Sequence, residues 1–276
     1  MESPFSAPNR AHSTAREASS GSAIRLNGVE ASAGPRFSVV VPAYNEERLL
    51  PRLLESIDAA REIYGGGSSA IEVIVADNAS TDSTASLAAS RGCRVVPVER
   101  RVIAAARNGG ARAARGDIVC FVDADARIHP ETFRAIDEAL TTGRVVGGAT
   151  GVRLERWSPG IAVAYLMIVP LVWVTGIDTG LVFCRREDFE AVGGYDENLR
   201  IAEDVVFPWA LKRLGRRRRQ RLVRLRRFKA TASLRKFDEH GDWHYVAMLP
   251  RTIFLFLFRR QAFLEFIDRY WYRPSR

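Results

Sequence analysis

Three carboxylate groupings in this sequence have residue types and spacings that suit chemistry. Asp123 and Asp125 stand two apart, directly after the apolar run IVCFV. Were strand geometry to continue past that run, both side chains would share one face. Two carboxylates so placed favour a divalent cation. Oxygen ligands suit Mg²⁺ or Mn²⁺, which commonly bridge carboxylates to phosphate oxygens. Asp77 closes the run IEVIVAD, and a carboxylate there can accept hydrogen bonds from a base or a ribose. Glu203 and Asp204 open a helical segment after a Gly-rich loop. They either complement the positive end of the helix dipole or supply a general base.

The elements that must position these groups alternate along the chain. FSVVVPAY from Phe37 reads as a buried strand. NEERLLPRLLESIDAAREI follows with Leu49, Leu50, Leu53, Leu54 and Ile57 at helical spacing. IEVIVAD is a second strand, STDSTASLAASRG a helix, CRVVPVE a third strand, AAARNGGARAARG a helix, and DIVCFVDAD a fourth strand. This order predicts an α/β domain with a mostly parallel, Rossmann-like sheet and right-handed crossovers. Ligands of such sheets sit beyond the carboxyl ends of the strands. Those ends carry Pro42-Ala-Tyr44-Asn45-Glu46, Asp77-Asn78 and Asp123-Ala124-Asp125. No G-x-G-x-x-G precedes Asp77, which disfavours a nicotinamide dehydrogenase.

Beyond Asp125 the pattern is less regular. HPETFRAIDEAL predicts a helix, RVVGGATGVRLE a strand pair, and Ile161 to Val174 an apolar helix expected to be buried. DTGLVFCRR is a strand, and EDFEAVGG and EDVVFPWALKRLG are helices. The expected organisation is a disordered tail over 1–35, a catalytic domain over 36–230, and a helical, apolar segment over 231–276. That last segment either packs on the domain or lies on an anionic membrane surface, because IFLFLF is flanked by Arg251, Arg259 and Arg260. Neither apolar stretch has the about 20 residues of a spanning helix.

Composition sets the partners. A formal charge of +9 and a pI near 10.0 call for an anionic partner. The dense basic stretch from Lys212 to Lys229 suits a solvated edge or a lipid-phosphate surface. No helix-turn-helix, RNA-recognition or zinc-finger pattern accompanies it, so no nucleic-acid partner is expected. Cys93, Cys120 and Cys184 are scattered, as in a reducing compartment. No apolar region follows the initiator, so a secretory signal is not supported. A cytoplasmic location is expected, peripheral to the membrane if the C-terminal segment lies on it.

In order and spacing, FSVVVPAYNEE, VIVADNASTDST, FVDADA, DTGLVFCRREDFEAVGGYDE and IAEDVVFPWALKRLG resemble glycosyltransferase family 2. The resemblance covers roughly Phe37 to Gly215. It implies a GT-A fold and inverting, metal-dependent transfer of a sugar from a UDP- or GDP-type donor. It implies that Pro42, Tyr44 and Glu46 line the nucleotide pocket and that Asp77 binds the base. Arg107 and Asn108 would lie beside the donor. Asp123 would contact the ribose, next to Ala124, and Asp125 the metal on the diphosphate. Asp204 would be the base, with Glu203 in support, and Gly180 would leave room for donor sugar or acceptor. Arg235 lies where many relatives carry a basic residue near the diphosphate. Processive members carry a Q-x-x-R-W-like motif there; this chain does not, so single-sugar transfer is expected. His240 and His244 stand at i, i+4 and are candidate metal ligands or packing residues. The acceptor, a glycan, lipid or small molecule, is left open. A sugar-nucleotidyl transferase or an inactive nucleotide-sugar-binding scaffold are the alternatives, the former lacking its basic Gly-rich loop in PAYNEERLLP.

Overall fold

The fold is built on strand β1, Phe37–Ala43, all seven residues of which are buried. A strand covered on both faces shows no alternation of polar and apolar residues, and β1 shows none. In this computed structural model, residues 34–175, 179–199, 202–259, 261–262 and 265–266 are described. All but the last two positions of the expected 1–35 tail fall outside them, as does Asp178.

The strands after β1 are β2 (Ile71–Asp77), β3 (Arg94–Pro97), β4 (Ile118–Phe121), β5 (Val145–Ala149), β6 (Val152–Leu154), β7 (Val182–Arg185), β8 (Arg221–Arg224) and β9 (Ala230–Ala232). Seven of them form one sheet in the order β3-β2-β1-β4-β7-β5-β8. The pairs β1·β2, β1·β4, β2·β3 and β5·β8 are parallel. Only β7 runs antiparallel to its neighbours, β4 and β5. The expected mostly parallel α/β sheet is therefore present.

Helices cover both faces. They are α1 (Leu50–Tyr64), α2 (Thr84–Ser90), α3 (Ile103–Arg112), α4 (Thr132–Thr141), α5 (Pro159–Thr175), α6 (Arg186–Ala191), α7 (Glu203–Arg217), α8 (Arg235–His240) and α9 (His244–Phe258). One core layer joins β1, α1 and α4 through Phe37, Leu53, Ile57, Phe133 and Ile136. The other joins β1, β4, α3 and α7 through Val40, Phe121, Ala104, Phe207 and Leu211. Helix α1 starts at Leu50, later than the sequence pattern suggests, with Pro51 in its first turn, where the missing N–H costs nothing.

Two expectations need correction. RVVGGATGVRLE is not a paired unit: β5 lies in the main sheet, whereas β6 pairs with β9 in a separate two-stranded sheet. Gly151, at φ +75°, turns the chain between them, and its carbonyl accepts from Ala230 N–H at 3.0 Å. The border expected at 230/231 thus falls inside β9. Helix α5 is not buried all round. Ile161 and Ala164 face inward, but Leu166 is 69% exposed, with Val163 and Met167 also open. Helix α5 packs against another helix, α9.

Candidate active site

The site lies at the carboxyl edge of the sheet, where three strand-to-helix loops are laced together. The loop after β1 is pinned to the loop after β2. Asn45 adopts φ +54°, a backbone region that Asn tolerates better than most residues. Its Oδ1 accepts from Thr81 N–H at 2.8 Å, and its own N–H donates to Ser80 Oγ at 3.1 Å. Glu46 N–H donates to the buried Thr84 hydroxyl at 2.8 Å, and Glu47 N–H to Asp82 at 3.2 Å. Asp77, half-buried at the end of β2, accepts from Ser80 N–H at 3.2 Å. The Arg101 guanidinium stands 4.0 Å from the centre of the Tyr44 ring. Pro42 lies within β1, opposite Ala76.

Strand β4 ends at Phe121, so Asp123 and Asp125 do not continue it. They sit in a turn closed by Ala126 N–H donating to Asp123 carbonyl at 3.0 Å. The turn separates their environments, contrary to a shared strand face. Asp123 is exposed, Ala124 is buried and Asp125 is half-buried. Burial, reinforced by the negative charges of Asp123 and Glu46, pushes the Asp125 carboxyl up to about 7, while Arg235 pulls it down. Burial likewise raises Glu46, against the opposing pull of Arg235. Arg235, at the start of α8, donates to Glu46 Oε2 at 2.9 Å. Arg235, from the C-terminal segment, is thereby joined to the loop after β1.

Arg107 is the hub of the second half. From α3 it donates to Asp123 Oδ1 at 3.0 Å and to Glu203 Oε1 at 3.1 Å. Its guanidinium lies 5.1 Å from the centre of the Tyr195 ring. That ring stacks on Phe207 at 4.2 Å, within a cluster that includes Phe121 and Phe189. Burial alone would lower the Arg107 pKa, yet its carboxylate neighbours hold it above the ordinary value. Glu203 is buried and committed to this ion pair.

Asp204, the next residue, is raised by burial and by Asp123, and it accepts from backbone N–H groups of the first turn of α7. Burial raises both carboxyls, but Glu203 is tied to Arg107 whereas Asp204 stands at the helix start among backbone N–H donors. Ala202 before them takes φ +67°, a strained value for a residue with a Cβ.

Two expected site residues do other work. Asn108 is buried, donating to Tyr195 carbonyl at 2.8 Å and Glu197 Oε1 at 2.9 Å while accepting from Tyr195 N–H at 2.9 Å. It clamps the 195–197 loop. Gly180 is held by a close backbone approach. A Cβ there would stand 2.4 Å from Gly151 carbonyl oxygen, and its φ is +93°. The backbone approach itself requires glycine.

His240 ends α8 and His244 begins α9, so they are not on one helix; their rings lie 4.6 Å apart. Among the described residues, no three His, Cys, Asp or Glu side chains gather into a self-sufficient metal cage. Sequence reasoning missed Arg101, Tyr195, Asp82 and Thr84. Thr84 and Asp82 were visible in NASTDST, but only as a helix start.

Comparison with known proteins agrees with this geometry. The model of "Glycosyl transferase family 2" matches residues 38–163. An undecaprenyl-phosphate 4-deoxy-4-formamido-L-arabinose transferase of Pseudomonas paraeruginosa is 39% identical over 137 residues, 44% of this chain and 38% of the relative. An uncharacterized glycosyltransferase of Mycobacterium bovis is 36% identical over 118 residues, 41% of this chain and 50% of the relative. The matches thus span half or less of these relatives' lengths. Among solved structures, a mannosyltransferase from Pyrobaculum calidifontis, in complex with GDP-Man and Mn²⁺, is 24% identical. It superposes with a TM-score of 0.59 over 79% of this chain and 61% of that one. Glucosyl-3-phosphoglycerate synthase from Mycobacterium tuberculosis, with Mn²⁺, UDP and phosphoglyceric acid, gives 0.54 at 24% identity, over 79% of this chain and 78% of that one. Residues 38–163 are thus similar to glycosyl transferase family 2, and the chain shares the GT-A fold of these solved structures.

Proposed function

We propose that this chain transfers a single sugar from a UDP- or GDP-type donor to an acceptor hydroxyl, with inversion and with Mg²⁺ or Mn²⁺. The observation that carries the reading is Arg107. One guanidinium holds both Asp123 and Glu203 within 3.1 Å, which fixes the β4 turn beside the first turn of α7. The groups that would meet the diphosphate end of the donor and the base that would meet the acceptor are thereby set in one frame.

The residues suit a divalent cation. Asp125 and Glu46 are crowded by like charge, with Arg235 as the counter-charge nearest to both. Asp125 would hold the ion, with Asp123 adjacent and diphosphate oxygens completing the shell. The ion would stabilise charge growing on the leaving diphosphate as a Lewis acid. Tyr44 and Asp77 would bind the base and ribose side of the donor. Arg235 would turn from Glu46 to the diphosphate. Asp204 would take the proton of the attacking hydroxyl, for which an elevated carboxylate is suited. One base and no enzyme nucleophile correspond to inversion.

The test is Asp204→Asn. Transfer falls by about 10²–10⁴-fold, whereas donor binding, read by thermal shift with Mn²⁺ and nucleoside diphosphate, stays as in the wild type. Retained turnover removes Asp204 from the base role.

A further inference from the structure

We infer that α5 and α9 form a docking face for the surface of an anionic phospholipid bilayer. Both spring from the catalytic edge. Helix α5 is tethered between β6 and the start of β7, where Val182 pairs with Ala149 and Phe121 at the carboxyl ends of β5 and β4. Helix α9 follows α8, whose first residue, Arg235, reaches Glu46. The two helices pack on each other. Gly160 in α5 lets the turn that leads into α9 approach closely, since a Cβ there would stand 2.6 Å from Asp242 carbonyl oxygen. Arg156 fastens the junction by ion pairs at 2.8 Å to Asp238 and Asp242.

Most of the exposed large apolar side chains among the described residues lie on this pair or beside it. Leu166 is 69% exposed on α5, and Phe254 and Phe258 are 55% and 72% exposed on α9. Trp157 and Trp243, beside the junction, are 58% and 55% exposed. Helix α5 has no charged residue, and α9 has no Asp or Glu. Exposed arginines Arg251 and Arg259 stand among the aromatic residues of α9. Exposed Trp, Phe and Leu on two helices that carry arginine and no carboxylate within their own spans match the interfacial zone of a membrane with anionic headgroups.

Length decides between lying and spanning. At 17 and 15 residues, the helices reach only about 22–26 Å, short of the roughly 30 Å hydrocarbon core. No described helix is long and apolar enough to cross a membrane. The face serves the transfer proposed above, and rests on that reading, by holding the catalytic edge against lipid-borne acceptors.

The full chain is sedimented with vesicles of phosphatidylcholine alone and of phosphatidylcholine with phosphatidylglycerol, at low and high salt. The expected result is binding to the anionic vesicles, weakened by salt, with Leu166→Glu and Phe258→Glu each lowering the bound fraction roughly tenfold. Melting temperature and binding of Mn²⁺ with nucleoside diphosphate stay unchanged in both variants. Equal binding to neutral vesicles, no binding to either, or variants that bind as the wild type overturn the inference. A dimer that both variants abolish assigns the face to a second copy and also overturns it. Vesicle binding without any nucleotide binding supports the docking face while removing the transferase reading.

Discussion

At the residue scale, the site depends on an ion pair that cannot lose one member cheaply. Arg107 and Glu203 are each about one-tenth exposed in their side chains. Removing one partner of a buried pair leaves the other charge desolvated, at about 3–5 kcal/mol. Arg107→Ala is therefore expected to destabilise the fold by that order, read as a lower urea midpoint. Arg107→Lys keeps the charge but not the fork that grips two carboxylates, so it should recover part of the stability and little transfer activity. A midpoint for Arg107→Ala within experimental error of the wild type would show that the pair is not the frame of the site. Glu203→Gln separates the neighbouring roles. It should lower stability modestly, because an amide can still accept from Arg107, whereas Asp204→Asn acts on catalysis.

At the element scale, α3 owes its place to glycine. Gly110 is packed so closely on β1 that a Cβ would sit 2.4 Å from Val40 Cγ1, and Gly109 is similarly close to Val98. Gly110→Ala is expected to shift α3 outward and cost about 1–3 kcal/mol as overpacking. It should also weaken transfer, because Arg107 rides on the same helix; unchanged thermal stability would refute this. The glycines of Asn108-Gly109-Gly110 thus serve packing. The four leading strands were legible because each is an apolar run with a turn signal after it. The convergence of Glu46, Asp77 and Asp123 was legible for the same reason. The helical content of Ile161 to Val174 was legible, but its exposure was not, since an apolar helix reads the same whether it faces protein or an interface. The split of β5 from β6 escaped because pairing depends on a distant partner, β9. The clamp made by Asn108 was not legible because its motif position says nothing about which backbone its amide will meet.

At the scale of the whole molecule, a basic protein is built around an acid-crowded site. The chain carries a formal charge of +9, yet Glu46, Asp125, Glu203 and Asp204 all have carboxyls raised chiefly by burial. A raised carboxyl keeps its proton in the folded state at a pH where the unfolded chain has lost it. Stability then falls as pH rises from the ordinary carboxylate range through the folded value. For Asp125 that window runs from its ordinary 3.8 to about 7. The melting temperature of the ligand-free protein is expected to decline across this window, and Asp125→Asn should flatten the decline and melt higher than the wild type above it. Adding Mn²⁺ with a nucleoside diphosphate should reverse the effect, because a ligand bound only by the folded state stabilises it by mass action. The gain should grow with pH as Asp125 ionises, and it should shrink in Asp125→Asn. The same site that weakens the free protein at neutral pH would then be the one that binds donor and metal most strongly there. A stability profile that is flat across the window, or a metal-dependent shift indifferent to Asp125, would place the cation elsewhere.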